Sequence, residues 1–427
     1  MVSVAHYFLT KKWIPWRVRN YAERLIEEKI RERAPSLYRI AHFGRHKNIV
    51  RRITDGPSHH FFGYYDKCPW NRSSRYLLSH RVEFMDRPPE QDDEVCIGYS
   101  ELENGNTWYP LARTKAWNWQ QGAMLRWNPA STKNVLFNDR DSQGFVGISL
   151  DIVTGEKRVY PKPIYTMTQD GTVALSLNFA RLHINRPGYG YVGIQDRWAD
   201  DPHPSEDGIY RMDMQSGDYS LILSLHDLAN YQPDEMMTTA KHWVNHLQIN
   251  PDGTRFLFLH RWSSQDVLFH SRLFSMALDG SELKLVLDYG MVSHYDWFDN
   301  ENLLVWGRHP MKGDRYYLIN VPSGAVKVMG DDVLTCDGHC SFSPNKKWIL
   351  TDTYPDQYGM RTLILYRMSD GKRIDVDRFY SPKEIWGEIR CDLHPRWNPD
   401  GTQVCIDSVH EGQRQVYVVD VSSLIQV

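Results

Sequence analysis

The sequence lacks the features that mark several common classes of protein. Six cysteines in 427 residues are too few for the disulfide framework of a small secreted scaffold. No apolar run is long enough to span a membrane, and Lys11 and Lys12 interrupt the apolar start of the chain, so we expect no secretory signal. These absences predict a cytoplasmic protein.

Two signatures of catalytic chemistry are also missing. No glycine-rich segment has the spacing of a phosphate-binding loop, and no Ser-His-Asp order resembles that of a serine hydrolase. The sequence therefore argues against phosphoryl transfer and dinucleotide chemistry.

The most informative feature present is a short phrase that occurs twice, as Cys336–His339 and as Cys391–His394. In both copies a tight polar turn follows five and six residues after the histidine, and the same offset recurs after His246 and His294. Repeats place equivalent residues in one structural register, so four imidazoles and two thiols are predicted to converge. Convergent His and Cys indicate a metal site; hydrogen-bonded histidines without a metal are the alternative. Mixed nitrogen and sulfur ligands favour Zn²⁺, whereas an all-His and oxygen set would suit Mn²⁺.

Turn signals predict a repeating β-structure. A polar turn followed by an apolar strand occurs seven times, at Trp70–Asn71, Trp127–Pro129, Gln169–Gly171, Asn250–Gly253, Phe298–Asn300, Ser343–Asn345 and Asn398–Gly401. A second short turn follows each of them, at Glu103–Gly105, Val153–Gly155, Gln215–Gly217, Leu278–Gly280, Pro322–Gly324, Ser369–Gly371 and Val421–Ser423. Two hairpins in each unit give four strands. The prediction is an all-β fold, a seven-bladed β-propeller over residues 48–427.

Two segments modify this repeat. The widest gap between turns holds Arg186–Tyr191 and Asp200–Pro204, which are typical of an inserted loop, and long loops on a rigid scaffold often carry function. The last unit is short by one strand. The strand-like run Asn48–Ile53 is predicted to supply that strand and close the ring.

The N-terminal part of the chain differs from the rest in charge. Residues 1–52 hold 13 Lys/Arg against four Glu, whereas the remainder holds 37 basic and 49 acidic residues. Within residues 1–47, Trp16–Arg33 has the apolar periodicity of an amphipathic helix. We expect a basic helical extension that binds an anionic membrane surface or a partner protein, or else packs on the propeller, and we expect no nucleic-acid partner.

Three phrases carry a resemblance to a known family. They are Gly338–Pro344 running on to Thr351–Pro355, Cys391–Trp397, and Arg186–Tyr191. These phrases resemble those of seven-bladed propeller polysaccharide lyases of the oligogalacturonate-lyase and ulvan-lyase type, and of related rhamnosyl-glucuronate-cleaving propellers. The similarity spans residues 54–427. Such lyases cleave uronate-containing glycans by β-elimination, with His and Tyr as proton-transfer groups, Arg on the carboxylate and a metal near the centre.

The resemblance implies a set of site residues. It implies His59 or His60, together with Tyr189, as acid–base groups, Arg181 or Arg197 on the carboxylate, and His246, His294, His339 and His394 at the metal. Trp117, Trp119, Gln121 and Trp243 are candidates for substrate contact, because rigid aromatic rings stack well on sugars. Two departures stand out: the segment Trp117–Gln121 has amides where some relatives have a histidine, and the export signal of a degradative lyase is missing.

The chemistry accounts for this residue set. Removing the proton beside a uronate carboxylate creates an enolate-like dianion, which needs a cation and a matched base. A glycoside hydrolase would instead need two carboxylates about 5 to 10 Å apart, and pairs such as Asp139 and Asp141 lie near turns. The third alternative is a non-catalytic propeller that binds an acidic glycan or acts as a scaffold in polysaccharide assembly.

Overall fold

The computed structural model describes residues 49–263 and 267–426 and shows seven four-stranded antiparallel sheets. Strand β1 (Val50–Arg52) comes first in the chain and belongs to the last sheet. Blade 1 contains β2 (His59–Phe61), β3 (Tyr76–Val82), β4 (Val95–Glu101) and β5 (Thr107–Thr114). Blade 2 contains β6 (Arg126–Trp127), β7 (Asn134–Arg140), β8 (Phe145–Asp151) and β9 (Lys157–Tyr160).

Blades 3 to 7 follow the same order of strands. Blade 3 contains β10 (Thr166–Met167), β11 (Val173–Ser176), β12 (Gly208–Asp213) and β13 (Tyr219–Ser224); blade 4 contains β14 (His242–Ile249), β15 (Arg255–Ser263), β16 (Phe269–Ala277) and β17 (Lys284–Leu287). Blade 5 contains β18 (Val292–Trp297), β19 (Asn302–His309), β20 (Gly313–Asn320) and β21 (Val326–Met329); blade 6 contains β22 (Ser341–Phe342), β23 (Trp348–Thr351), β24 (Met360–Arg367) and β25 (Arg373–Tyr380). Blade 7 contains β26 (Arg396–Trp397), β27 (Gln403–Ser408), β28 (Gln415–Asp420) and β1. The predicted seven-bladed propeller is confirmed.

The ring closes in blade 7, where a strand from the start of the propeller sequence pairs with strands from its end. The strand order β1-β28-β27-β26 places β1 beside β28, as the sequence predicted for this segment. Beyond β1, the Ile53 N–H donates to the Val416 carbonyl at 2.9 Å, and the Val416 N–H donates to the Thr54 hydroxyl at 3.0 Å. Closure of this kind removes an open sheet edge.

The described part of the chain has three short α-helices, all outside the blades. They are α1 (Phe179–Asn185), α2 (Leu225–Asn230) and α3 (Ser422–Ile425), with 3-10 turns at Glu235–Thr238 and Gly387–Ile389. Helix α1 lies in the predicted insertion, between β11 and β12 of blade 3. The Asn178 side chain accepts from the Arg181 N–H and fixes where α1 begins.

The predicted N-terminal helix lies outside the described residues. Residues 52–427 form one compact unit, so the propeller stands as a body by itself. The predicted division at residues 47 and 48, and the predicted association with a membrane or partner, stay predictions. No described helix is both long and apolar enough to cross a membrane.

Blades pack on one another through aromatic and aliphatic side chains. The cluster between blades 3 and 4 includes Leu175, Phe258 and Phe274, all buried. Burying one such side chain stabilises the fold by about 1.5–3 kcal/mol. This packing supports the inner strands, and the four histidines lie on those strands or just before them.

Candidate active site and metal centre

The four histidines of the shared register lie at or beside the first strands of four consecutive blades. Strand β14 shifts register between Asn245 and Gln248, and β18 shifts between Val292 and Tyr295, so His246 and His294 fall in β-bulges. A bulge re-aims a side chain that regular pleating would direct elsewhere.

Strained backbone contributes to the same placement. His246 and His394 have left-handed φ values of 54° and 42°. Non-glycine residues adopt this conformation at a cost, and it persists where surrounding structure enforces it, often at functional sites.

The four imidazoles surround the ring of Tyr64. Its centroid lies 5.0 Å from the ring of His394, 5.2 Å from His246, 6.1 Å from His339 and 6.4 Å from His294. The structure thus brings together the four histidines that the sequence pattern selected.

The thiols of the repeated phrase do not join them. Cys336 is exposed, and Cys391 packs in an apolar cluster where burial raises the pKa of its thiol to about 11. Neither thiol belongs to the group of potential metal ligands that the described residues form.

One group of three potential ligands for a metal ion occurs among the described residues: His339, Asp392 and His394, each offering an atom within 4.8 Å of the others. The Nε2 atoms of His339 and His394 are buried and have no hydrogen-bond partner. The His339 Nδ1 lies 2.8 Å from Asp352 Oδ1. A carboxylate on Nδ1 fixes the proton there and leaves a lone pair on Nε2, which is the usual arrangement behind a metal-binding histidine. The residues present therefore fit a divalent cation.

Asp392 is held ionised by two arginines. Its Oδ1 lies 2.6 Å from Arg361 Nη1, and its Oδ2 lies 2.7 Å from Arg390 Nε. Burial works in the opposite direction, but the charges of Arg390 and Arg361 hold the pKa of Asp392 well below its usual range. Each carboxylate oxygen has more than one acceptor position, so these ion pairs leave room for a further ligand.

His294 forms a second His–Asp pair beside this group. Its ring centroid is 4.3 Å from that of His339, and its Nδ1 lies 2.9 Å from Asp337 Oδ1. Burial lowers the pKa of His294, although Asp337 acts against that shift. The imidazole is therefore neutral near pH 7, with its proton on Nδ1 and a free lone pair on Nε2.

His246 is set apart from the ligand group. Its ring stacks on Tyr295 with centroids 4.2 Å apart, and burial lowers its pKa well below the usual value. Its backbone N–H donates to the Tyr165 hydroxyl, which also accepts from Gln121 Nε2, both at 2.9 Å. Gln121, a predicted substrate contact, thus supports the backbone of His246.

A cavity of about 190 Å³ has one of the four histidines, His294, in its lining. Its lining includes His294, Asp337, Tyr64, Tyr189, Tyr354, Arg186 and Arg261. The Tyr189 hydroxyl accepts a hydrogen bond from Arg390 Nη2 at 2.5 Å, which leaves its own proton free to be donated. The cavity therefore offers a neutral histidine as proton acceptor and a fixed phenol as proton donor.

The two arginines predicted on the carboxylate lie elsewhere. Arg181 is 2% exposed, and its five N–H groups donate to Asp196 and to the backbone carbonyls of Trp198, Asp201, Pro202 and His242. It ties the blade 3 insertion to blade 4 and has no donor left for a substrate. Arg197 is exposed, with its guanidinium 5.6 Å from the Trp198 ring centroid, and does not line the cavity.

The predicted acid–base pair in β2 serves blade packing. His60 is buried, its Nδ1 lies 3.1 Å from Gln415 Oε1, and burial lowers its pKa to about 4. His59 is half-buried, and burial also lowers its pKa. Neither residue lines the cavity.

The tryptophans predicted to stack on sugars are interior residues. Trp117 and Trp119 are at most 2% exposed, and their indole N–H groups donate to the carbonyls of Asp93 and Arg87 at 3.0 and 2.9 Å. Trp243 is equally buried, with its ring 5.9 Å from that of Phe269. All three have structural positions because their flat faces pack inside the protein.

Sequence reasoning missed the carboxylates of the site. Asp337 and Asp392 each stand two residues before a histidine in the repeated Cys-Asp-x-His phrase, and Asp352 lies in the Thr351–Pro355 segment. The repetition of the aspartate was a usable signal. Arg390 gave no comparable signal, since nothing in its local sequence shows that it reaches Tyr189.

Comparisons with known proteins bear on the fold. No protein-family model and no curated protein matches the chain. A solved structure described as oligogalacturonate lyase in complex with manganese is similar, with a TM-score of 0.63, 16% identity, and coverage of 87% of this chain and 92% of that one. An oligogalacturonate lyase from Vibrio parahaemolyticus has a TM-score of 0.62 and 14% identity, covering 87% and 93%. At these identities the likeness shows that this chain has the propeller fold of those lyases.

Proposed function

We propose that this protein is a polysaccharide lyase that cleaves a uronate-containing oligosaccharide by β-elimination and uses a divalent cation. The observation that carries the proposal is the group formed by His339, Asp392 and His394, with two unpaired Nε2 atoms. The His339 ring lies 4.3 Å from that of His294, which lines a cavity that offers an acid and a base. The fold shared with oligogalacturonate lyases, one of them in complex with manganese, supports it.

The cation would be held by His339, His394 and Asp392. When bound, it would supply positive charge for the carboxylate of the sugar acid, which becomes more negative as the reaction proceeds. Two nitrogens and one oxygen suit Zn²⁺ and Mn²⁺ alike. Asp352 and the two arginines on Asp392 keep the three side chains in position.

Proton transfer is assigned to His294 and Tyr189. His294 is neutral, and Asp337 orients it with Nε2 as the acceptor, so it takes the proton beside the uronate carboxylate. Tyr189, held by Arg390, donates its hydroxyl proton to the departing glycosidic oxygen. The two groups therefore divide the roles of base and acid within one cavity.

The carboxylates of the cavity favour a lyase over a hydrolase. A glycoside hydrolase needs an acid and a base or nucleophile, both normally carboxyl groups. Asp337 is the one carboxylate among the residues that line the cavity, and it is engaged by His294. No second carboxyl group lines the cavity to play the opposite role.

One observation favours a second candidate, a glycan-binding propeller without catalysis. Asp392 is already balanced by Arg361 and Arg390, so the histidine group is electrostatically stable without a cation. In that case the cavity would bind an acidic sugar through hydrogen bonds and leave its bonds intact.

Incubation with a panel of uronate glycans, in the presence of Mn²⁺ or Zn²⁺, separates these functions. A lyase generates an unsaturated sugar end that absorbs in the ultraviolet, a hydrolase generates reducing ends without that absorbance, and a binding protein generates neither. We expect ultraviolet absorbance, and Tyr189→Phe should lower its rate by roughly 10²-fold or more. Tyr160→Phe, at a buried tyrosine in blade 2 that does not line the cavity, is the matched control and should retain the wild-type rate.

A further inference from the structure

Two arginines line the cavity together with His294. Arg186 follows helix α1 and Arg261 lies on β15, and both guanidinium groups lie on the ring of Phe269, 5.0 and 4.6 Å from its centroid. Arg186 also lies 5.0 Å from the ring centroid of Tyr189. Stacking on aromatic faces fixes the guanidinium planes and leaves their N–H edges for a ligand.

These two cations lack a balancing carboxylate. Among the residues that the structure describes, neither Arg186 nor Arg261 forms an ion pair, in contrast to the neighbouring pairs Arg181–Asp196 and Arg272–Asp288. Burial and the charge of Arg186 lower the pKa of Arg261 to about 10. Arg261 is buried and Arg186 is half-buried, and two charges of one sign held this close are costly without a counter-ion.

Polar atoms around the pair are also unpaired. The Nε of Arg186 and the Oδ1 of Asn245 are buried and have no hydrogen-bond partner. Arg261 uses its Nε on the Ser271 hydroxyl at 2.9 Å and its Nη2 on the Val292 carbonyl at 3.4 Å, which anchors it while Arg186 keeps its donors. A buried donor without an acceptor costs about 1–3 kcal/mol, so the unpaired Nε of Arg186 indicates a ligand that accepts hydrogen bonds. The unpaired Oδ1 of Asn245 is itself an acceptor and would take a hydrogen bond from a hydroxyl of the same ligand.

We propose that Arg186 and Arg261 bind an oxyanion substituent of the glycan, a carboxylate or a sulfate, at a position separate from the histidine–aspartate group. This deepens the proposed function and rests on it for the identity of the glycan. A substrate that fills both positions carries at least two negative groups, one at the reacting sugar and one on a neighbouring sugar. Specificity then follows from charge spacing, because a neutral neighbour leaves both guanidinium groups unpaired.

Small oxyanions test this site whether or not the protein is a lyase. Melting temperature is measured in sodium sulfate, sodium acetate and sodium chloride at equal ionic strength. Wild-type protein should gain stability in sulfate or acetate relative to chloride, and Arg186→Gln should lower the affinity for that anion by about 10-fold or more. Without an oxyanion, Arg186→Gln should melt at or above the wild type, because it removes one of two cations that repel each other.

The matched control is Arg158→Gln. Arg158 also stacks on an aromatic ring, 4.9 Å from the Tyr160 centroid, but it is exposed on β9. The Arg158→Gln variant should show the same dependence of melting temperature on the anion as the wild type. Arg261→Lys provides a second variant that keeps the buried charge and should retain part of the response.

The outcomes discriminate between the explanations. Equal anion responses in wild type and Arg186→Gln would overturn the site, as would a loss of stability in Arg186→Gln that is the same in all three salts, since that marks a structural arginine. A preference for sulfate over acetate assigns a sulfated glycan, and the reverse preference assigns a polyuronate. Absence of lyase activity with an intact anion response would overturn the proposed function and leave the anion site standing.

Discussion

Two kinds of buried histidine stand side by side in this propeller. The axial histidines, His294, His339 and His394, lie at the centre of the ring, and the blade histidines, His80 and His242, lie between or within blades. Both kinds are removed from water, and burial lowers the pKa in His294, His394, His80 and His242. The difference lies in what each ring nitrogen touches.

His80 and His242 have partners on both ring nitrogens. His80 Nε2 accepts from the Ala123 N–H at 3.0 Å, and its Nδ1 lies 3.3 Å from the Phe61 carbonyl, so the ring links blades 1 and 2. His242 Nδ1 lies 2.7 Å from His260 Nε2, and its Nε2 lies 2.8 Å from the Met237 carbonyl. His339 instead has a carboxylate behind Nδ1 and nothing on Nε2. A buried nitrogen left unpaired is costly, so the unpaired Nε2 atoms of His339 and His394 favour a ligand, whereas the paired nitrogens of His80 and His242 serve the fold.

The sharpest way to break this comparison is to remove the proposed base. His294→Gln keeps the size and polarity of the side chain but cannot accept and release a proton in the same way. Turnover of a cleaved glycan should fall by roughly 10² to 10⁴-fold, the scale of a general base. Bound metal and melting temperature should stay near their wild-type values, measured by elemental analysis and thermal unfolding. Wild-type turnover would remove His294 from the chemistry, and loss of the metal would make it a ligand instead.

Replacing a blade histidine tests the other side of the comparison, namely that this kind of histidine stabilises the fold. His80→Ala leaves the Ala123 N–H and the Phe61 carbonyl without partners and opens a void beside Gly122, whose left-handed backbone fits closely against the His80 ring. We expect a loss of about 3 kcal/mol in the free energy of unfolding, from lost hydrogen bonds and lost packing together. Denaturant unfolding at pH 7 measures it. Folded protein should still bind metal, and a loss below about 1 kcal/mol would contradict the structural role.

Acid should lower the stability that a buried blade histidine contributes, within a defined range of pH. Burial lowers the pKa of His242 to about 4, below the ordinary value of 6.5, so the unfolded chain binds the proton more readily. The stability that comes from keeping His242 neutral in the folded protein is fully present above pH 6.5 and is lost as the pH falls towards 4. His242→Gln should therefore lose about 2 kcal/mol less stability than the wild type between pH 6.5 and 4.5, because each unit of pKa difference is worth about 1.4 kcal/mol. Chemical denaturation at both pH values checks this, and identical losses would refute it.

The smallest expected effect concerns an exposed arginine. Arg197→Ala removes a guanidinium that touches only the Trp198 ring among its described contacts. Its effect on the free energy of unfolding should stay within about 0.5 kcal/mol, and turnover should not change. A tenfold loss of turnover would restore Arg197 to the carboxylate-binding role that the resemblance implied.

The sequence predicted the repeat well because each blade carries its own turns. Polar turns at a regular spacing are local signals, and the offset from histidine to turn gave the register that brings four imidazoles around Tyr64. The strand Val50–Arg52 was predictable as well, since the last unit lacked a partner for β28.

The cavity residues were harder to predict because they depend on contacts between distant segments. Arg186 and Arg261 meet on Phe269, and Arg390 meets Tyr189, across large separations in the chain. The tryptophans were predicted as sugar contacts but are buried, for a related reason. The polar neighbours of a Trp in the sequence do not show whether its ring faces solvent or the next blade. Arg181 lies in the predicted functional loop, yet its surroundings show that it holds that loop in place.

The most direct test of the account is the metal content of the protein after equilibration with Mn²⁺ or Zn²⁺ and removal of the free ion. Wild type should retain close to one equivalent, and His339→Ala should retain nearly none, because it removes one of three ligands and unpairs Asp352. His80→Asn, which alters a histidine of the blade type, serves as the control and should retain the metal in its folded fraction. A wild-type stoichiometry near zero, or full retention by His339→Ala, would contradict the metal centre on which the account rests.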